Sequence, residues 1–138
     1  MLFRSGAVAA AALYHDASEI LTGDMPTPIK YDNPAIRKAY KDVEAVAEEK
    51  LLHMLPQEFR PVYALILHPD AETEQLVKAA DKLSAYIKCV EELKAGNNEF
   101  REAAAQTRTA LEDYGLPEVA YFLETFLPSF SLTLDELK

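Results

Sequence analysis

Only four glycines occur in 138 residues, at positions 6, 23, 96 and 115, and three of them stand just after stretches of helical apolar spacing. That placement is the one expected of helix stops. With 49% hydrophobic residues there is enough apolar material for a real core. The pattern predicts an all-α chain, and a length near one domain's worth predicts a single domain over residues 1–138.

The spacing predicts about six helices packed as a bundle. The first runs from near Ser5 to Leu21 and stops at Gly23; its Ala7–Leu13 stretch is apolar on every side and is expected in the interior. Gly23 to Pro28, with two prolines two apart, is expected to be a short stiff loop. Asn33-Pro34 opens the second helix as N-cap and first helical residue, with Ile36, Tyr40, Val43, Val46 or Ala47 and Met54 as its apolar stripe. A short helix follows over Phe59–Leu67. Asp70 caps a long helix reaching about Leu93, whose stripe is Leu76, Ala80, Leu83, Ile87 and Val90. Helices near Asn98–Tyr114 and Pro117–Phe126 complete the set.

Fourteen basic against twenty-three acidic residues give a net charge of −9. A chain so acidic is repelled by phosphate backbones and anionic headgroups, so neither a nucleic-acid polymer nor a membrane surface is an expected partner. Met1 to Leu13 superficially suggests a signal peptide, but the apolar run leads directly into Tyr14-His15-Asp16 and is too short to span a bilayer. The single cysteine, Cys89, has no CxxC partner, and a cytoplasmic setting follows.

His15, Asp16 and Glu19 form the most informative cluster. On a continuous helix, spacings of three and four residues put Glu19 on the same face as both neighbours. A divalent cation held by imidazole and carboxylate gives charges emerging from an apolar helix a purpose, and a Glu one turn on is placed to handle protons. The alternative is a solvated helix end before a glycine cap. His53 and His68 are read as structural or surface residues, Cys89 as core, and Glu48-Glu49 and Glu91-Glu92 as solvated faces.

The run Tyr14-His15-Asp16-Ala17-Ser18-Glu19-Ile20-Leu21-Thr22-Gly23-Asp24-Met25-Pro26-Thr27-Pro28-Ile29-Lys30-Tyr31 closely resembles the bacterial HD-domain 5′-deoxynucleotidases. Val77 to Tyr86 is similar to the same family's final metal-ligand helix. The resemblance implies an all-α HD-domain bundle that hydrolyses deoxyribonucleoside 5′-monophosphates with a divalent metal of the Co²⁺, Mn²⁺ or Zn²⁺ class. It implies metal contacts by His15, Asp16 and Asp81, acid/base work by Glu19, and substrate contacts by Asp16, Asp24, Met25, Pro26, Thr27 and Asp81. Periodicity alone does not select Asp81.

The family carries a segment before its His-Asp pair that includes a further metal-binding His and a phosphate-orienting Arg. Arg4 is the only basic residue before His15 here. The chain is therefore expected to be N-terminally truncated relative to the family, with an exposed Ala7–Leu13 face that favours a homodimer. Two other readings stay open: a catalytically impaired HD remnant serving as an interaction or regulatory module, and an HD phosphohydrolase acting on another nucleotide.

Overall fold

In the computed structural model, residues 5–30, 32–133 and 135–137 are described, the side chains of Thr27 and Pro28 excepted. Among these residues the secondary structure is helical throughout, with no strand. The chain divides into two compact units, residues 1–74 and residues 75–138.

The first unit contains α1 (Ser5–Tyr14), α2 (Glu19–Thr22), α3 (Thr27–Lys30), α4 (Pro34–Met54), α5 (Arg60–Leu67) and the first turn of α6 (Ala71–Lys94). Helix α4 is its spine, packing against α2, α3 and α5, while α1 packs against α5. The start of α4 is as the sequence predicts: the Asn33 backbone is extended and its Oδ1 accepts from the Ile36 N–H at 2.9 Å. Asp70 does the same for α6, its Oδ1 accepting from the Thr73 N–H at 2.9 Å. Past the end of α4, Arg60 closes the connection by donating to the carbonyls of Leu55 and His53, each at 3.0 Å.

Three expectations change here. The first predicted helix is broken: α1 ends at Tyr14, residues 15–18 form turns, and helix resumes at Glu19. Short-range bonds replace the regular ladder, with Ala17 N–H to Tyr14 carbonyl at 3.0 Å and Glu19 N–H to Asp16 carbonyl at 2.9 Å. The Ala7–Leu13 stretch is also not interior. Ala11 is buried, but Ala7 and Ala9 are exposed and Leu13 is 76% exposed. A helix that is apolar all round buries only the side its partner covers, and within this unit that partner is α5. The Tyr14 and Tyr63 rings mark the contact, edge to face at 5.5 Å. The stiff loop is shorter than expected too: Gly23 to Pro26 is irregular, but Thr27–Lys30 forms one helical turn.

The second unit contains the rest of α6, a 3₁₀ turn at Asn98–Phe100, α7 (Arg101–Asp113), α8 (Pro117–Thr125) and α9 (Leu127–Phe130). Leu111, fully buried, centres a core with Ala79, Val119 and Leu123, flanked by Leu83, Tyr86, Tyr114, Leu116 and Leu127. The α6 stripe is thus Ala79, Leu83 and Tyr86, and the expected Ala80 is exposed. Leu83 keeps its expected place, while Ala79 and Tyr86 each stand one residue, about 100°, round from the expected Ala80 and Ile87. Because α6 is apolar at many neighbouring positions, its periodicity did not choose between the two lines.

Candidate active site

His15 and Asp16 stand in the break between α1 and α2 rather than on a continuous helix face. Both are exposed. The His15 Nδ1 lies 2.7 Å from the Ala12 carbonyl oxygen, which can only accept, so Nδ1 carries the hydrogen. Its Nε2 lies 3.0 Å from Asp16 Oδ2. With the hydrogen on Nδ1, the Nε2 lone pair of a neutral ring and the carboxylate face one another as two acceptors, an arrangement that a cation between them would favour. Imidazole nitrogen and carboxylate oxygen are both ligand types for divalent cations, so this pair could hold one as two of its ligands. Among the described residues no group of three or more His, Cys, Asp and Glu side chains gathers at one metal position. Asp81 lies on α6 in the second unit with its side chain exposed, turned about 200° along the helix from buried Ala79.

Glu19 begins α2 and is partly buried. Burial holds its carboxyl above the usual carboxylate range; the nearby Asp16 and Asp24 charges add to the rise and Lys30 opposes it. These four residues therefore share one electrostatic environment although the helix between them is interrupted. The same-face argument does not survive the break, but the proximity of Glu19 to Asp16 does.

Directly after α2, Gly23 has φ 72° and ψ 158°. That is not the left-handed helical conformation of an ordinary glycine stop but the extended positive-φ region that is essentially reserved for glycine. Its N–H donates to the Glu19 carbonyl at 2.9 Å, and its carbonyl accepts from the Tyr40 hydroxyl at 2.8 Å. Asp24 and Pro26 follow, exposed, with Met25 partly buried between them. The side chain of Thr27 lies outside the described residues, as do Arg4 and Tyr31.

Residues not expected to interact do so beside this site. Lys30 donates to Glu44 Oε1 at 2.9 Å and lies 4.6 Å from the centre of the Tyr40 ring. Glu48, expected on a solvated face, is partly buried; burial raises its carboxyl above the usual range, and His68 stands 3.8 Å away. The spacing of Glu44 and Glu48, four residues apart on α4, was the available signal. What it lacked was the long-range partner. His53 is as expected, exposed near the end of α4, with Nδ1 on the Glu49 carbonyl at 2.8 Å. Cys89 is buried. A shallow recess of about 360 Å³ at the start of α4 is lined by Asp32, Asn33, Pro34, Arg37, Lys38 and Lys41 and contains none of the motif residues.

Comparison with known proteins bears on the same stretch. The family model described as 5′-deoxynucleotidase YfbR-like matches residues 3–130. The chain is 53% identical over 133 residues to a 5′-deoxynucleotidase of Vibrio parahaemolyticus, covering 94% of this chain and 69% of that protein. It is 52% identical over 134 residues to a 5′-deoxynucleotidase of Erwinia tasmaniensis, with 94% and 67% covered. A 5′-deoxynucleotidase of Yersinia pseudotuberculosis is 53% identical over 133 residues, with 94% and 68% covered. The chain thus spans somewhat over two thirds of the length of these relatives.

Proposed function

Because the chain belongs to the YfbR-like 5′-deoxynucleotidase family, we propose that it hydrolyses deoxyribonucleoside 5′-monophosphates to the deoxyribonucleoside and inorganic phosphate. The observation that carries this reading is the local geometry at the α1–α2 break. A His15–Asp16 pair suited to a cation stands one turn from a partly buried Glu19, and a glycine-defined substrate segment follows immediately.

His15 and Asp16 would hold the divalent cation, and Asp81 joins them in the proposal on motif resemblance. When bound, the cation offsets phosphate charge and makes water more acidic. Glu19 accepts the proton of the attacking water at its carboxylate. The water oxygen forms the new bond to phosphorus, the bond from phosphorus to the sugar 5′-oxygen breaks, and a proton passes to that oxygen as the deoxyribonucleoside leaves. Burial supports the role by holding Glu19 closer in acidity to its task than an exposed carboxylate is. Asp16, Asp24, Met25, Pro26, Thr27 and Asp81 are the proposed substrate contacts, the first reached through the cation. Mn²⁺, Co²⁺ or Zn²⁺ is the proposed metal.

The test is phosphate release from dAMP and from AMP with each of these metals. Metal-dependent turnover that favours dAMP, and that falls at least about 100-fold in Glu19→Ala, supports the reading. Well-folded protein that releases no phosphate from any deoxynucleotide overturns it.

Among the described residues no helix is long and apolar enough to cross a membrane. We place the protein in the cytoplasm, in keeping with its one buried thiol. We also propose a homodimer, because α1 and α5 pack together while Leu13, Val62 and Leu65 are 76%, 57% and 73% exposed. Sedimentation is expected to give a dimer that Leu65→Lys converts to monomer; a monomeric parent at micromolar concentration rules the dimer out.

A further inference from the structure

Tyr40 enters the sequence pattern only as one member of the α4 apolar stripe, a role that phenylalanine fills equally well. The structure gives its hydroxyl a separate task. Tyr40 is 6% exposed, and its hydroxyl donates to the Gly23 carbonyl across seventeen residues of sequence at 2.8 Å. The Gly23 N–H is already committed to the Glu19 carbonyl at 2.9 Å. Both polar groups of this residue are therefore engaged, the N–H to the residue proposed as acid/base and the carbonyl to α4, with the adjacent Thr22 hydroxyl also 3.0 Å from that oxygen.

The other end of the segment is tied to the same helix. Lys30 donates to Glu44 Oε1 at 2.9 Å, and its ammonium lies 4.6 Å from the centre of the Tyr40 ring. Tyr40 and Glu44 are four residues apart, so they are neighbours on one face of α4. Between the two anchored ends lie Asp24, Met25, Pro26 and Thr27, the proposed substrate segment. A short segment pinned at both ends to one rigid helix loses little entropy when it meets a ligand.

We propose that Tyr40 is a positioning residue for substrate binding, with Lys30 and Glu44 as the second anchor of the same brace. The inference rests on the deoxynucleotidase reading for the identity of the substrate. It does not rest on that reading for the brace itself, which is a backbone restraint that can be measured without turnover.

Tyr40→Phe keeps the ring, its burial and its contact with Lys30, and removes one hydrogen bond. For dAMP with Mn²⁺, KM is expected to rise about 3- to 10-fold while kcat stays within about twofold, because the lost restraint acts on ground state and transition state alike. Hydrogen–deuterium exchange of the Gly23 and Asp24 amides is expected to quicken by a similar factor. Glu44→Gln, which frees Lys30, is expected to raise KM in the same direction by a smaller factor.

Unchanged exchange at Gly23 and Asp24 in folded Tyr40→Phe overturns the brace. Faster exchange with an unchanged KM overturns its role in binding, as does a fall in kcat with KM unchanged, which marks a mere loss of active protein. If the parent chain turns over no deoxynucleotide, the functional reading fails separately. Amide exchange then decides the brace, and titration with dAMP in the presence of Mn²⁺ decides whether it serves binding.

Discussion

Glu19 shows how one side chain's surroundings shape its chemistry. Its carboxyl is held above the ordinary range of about 4 to 4.5, first by burial and then by the charges of Asp16 and Asp24. A general base works only when ionised, so the acid limb of kcat/KM is expected above that range. The signs of its neighbours make this specific. Lys30 lowers its pKa, so Lys30→Met moves the limb to higher pH. Asp24 raises it, so Asp24→Asn moves the limb to lower pH. A pH–rate profile in which both variants shift the limb in one direction contradicts Glu19 as the group observed. The sequence singles the residue out by its place after His15 and Asp16. Its perturbation is not legible there, because Lys30 and Glu44 approach it through folding.

The decisive element is the pair α1 and α2 with the break between them. An uninterrupted apolar and helix-favouring run predicts one helix, yet His15 caps the end of α1 by donating to Ala12, and residues 15–18 turn before α2 begins. The break places the motif in a turn, where side chains are reachable, instead of along a helix flank. At the far end of α2, Gly23 adopts a conformation that a side chain resists, although no atom lies within 4 Å of where a Cβ would be. Gly23→Ala is therefore expected to cost about 1–3 kcal/mol through backbone strain alone, with no clash. Chemical denaturation measures it: an unchanged midpoint contradicts the strain argument. Turnover should fall as well, since the strain is relieved by moving the very carbonyl that Tyr40 holds.

Across the whole molecule, the stability of the chain should depend on the cation proposed for its site. Ligand that binds only the folded state stabilises it in proportion to the logarithm of its excess, about 2.7 kcal/mol at a hundredfold excess over Kd. Thermal unfolding is thus expected to shift upward with Mn²⁺, Co²⁺ or Zn²⁺, and the shift should vanish in His15→Ala. A shift that survives this substitution places the ion elsewhere. The two units are expected to differ in kind. The second closes around fully buried Leu111, whereas in the first, among the described residues, α1 packs against α5 and leaves Leu13 exposed.

Glycine placement, caps at Asn33 and Asp70, and apolar spacing made the all-α class and most helix limits legible, because these are local preferences that neighbouring residues satisfy among themselves. The run from His15 to Asp24 stood out for a different reason, its resemblance to the family's motif, because spacing alone left a solvated helix end as an equal reading. Three features were settled by contacts between distant residues. The choice of Ala79 over Ala80 as a core position follows from where Leu111 and Val119 pack. The exposure of much of α1 follows from its packing, among the described residues, against α5 on one side. The restraint on Gly23 comes from Tyr40, seventeen residues away, whose hydroxyl no periodicity distinguishes from the hydrogen of a phenylalanine. Local propensity decides what a segment becomes; which of its atoms find partners depends on the segments that fold against it.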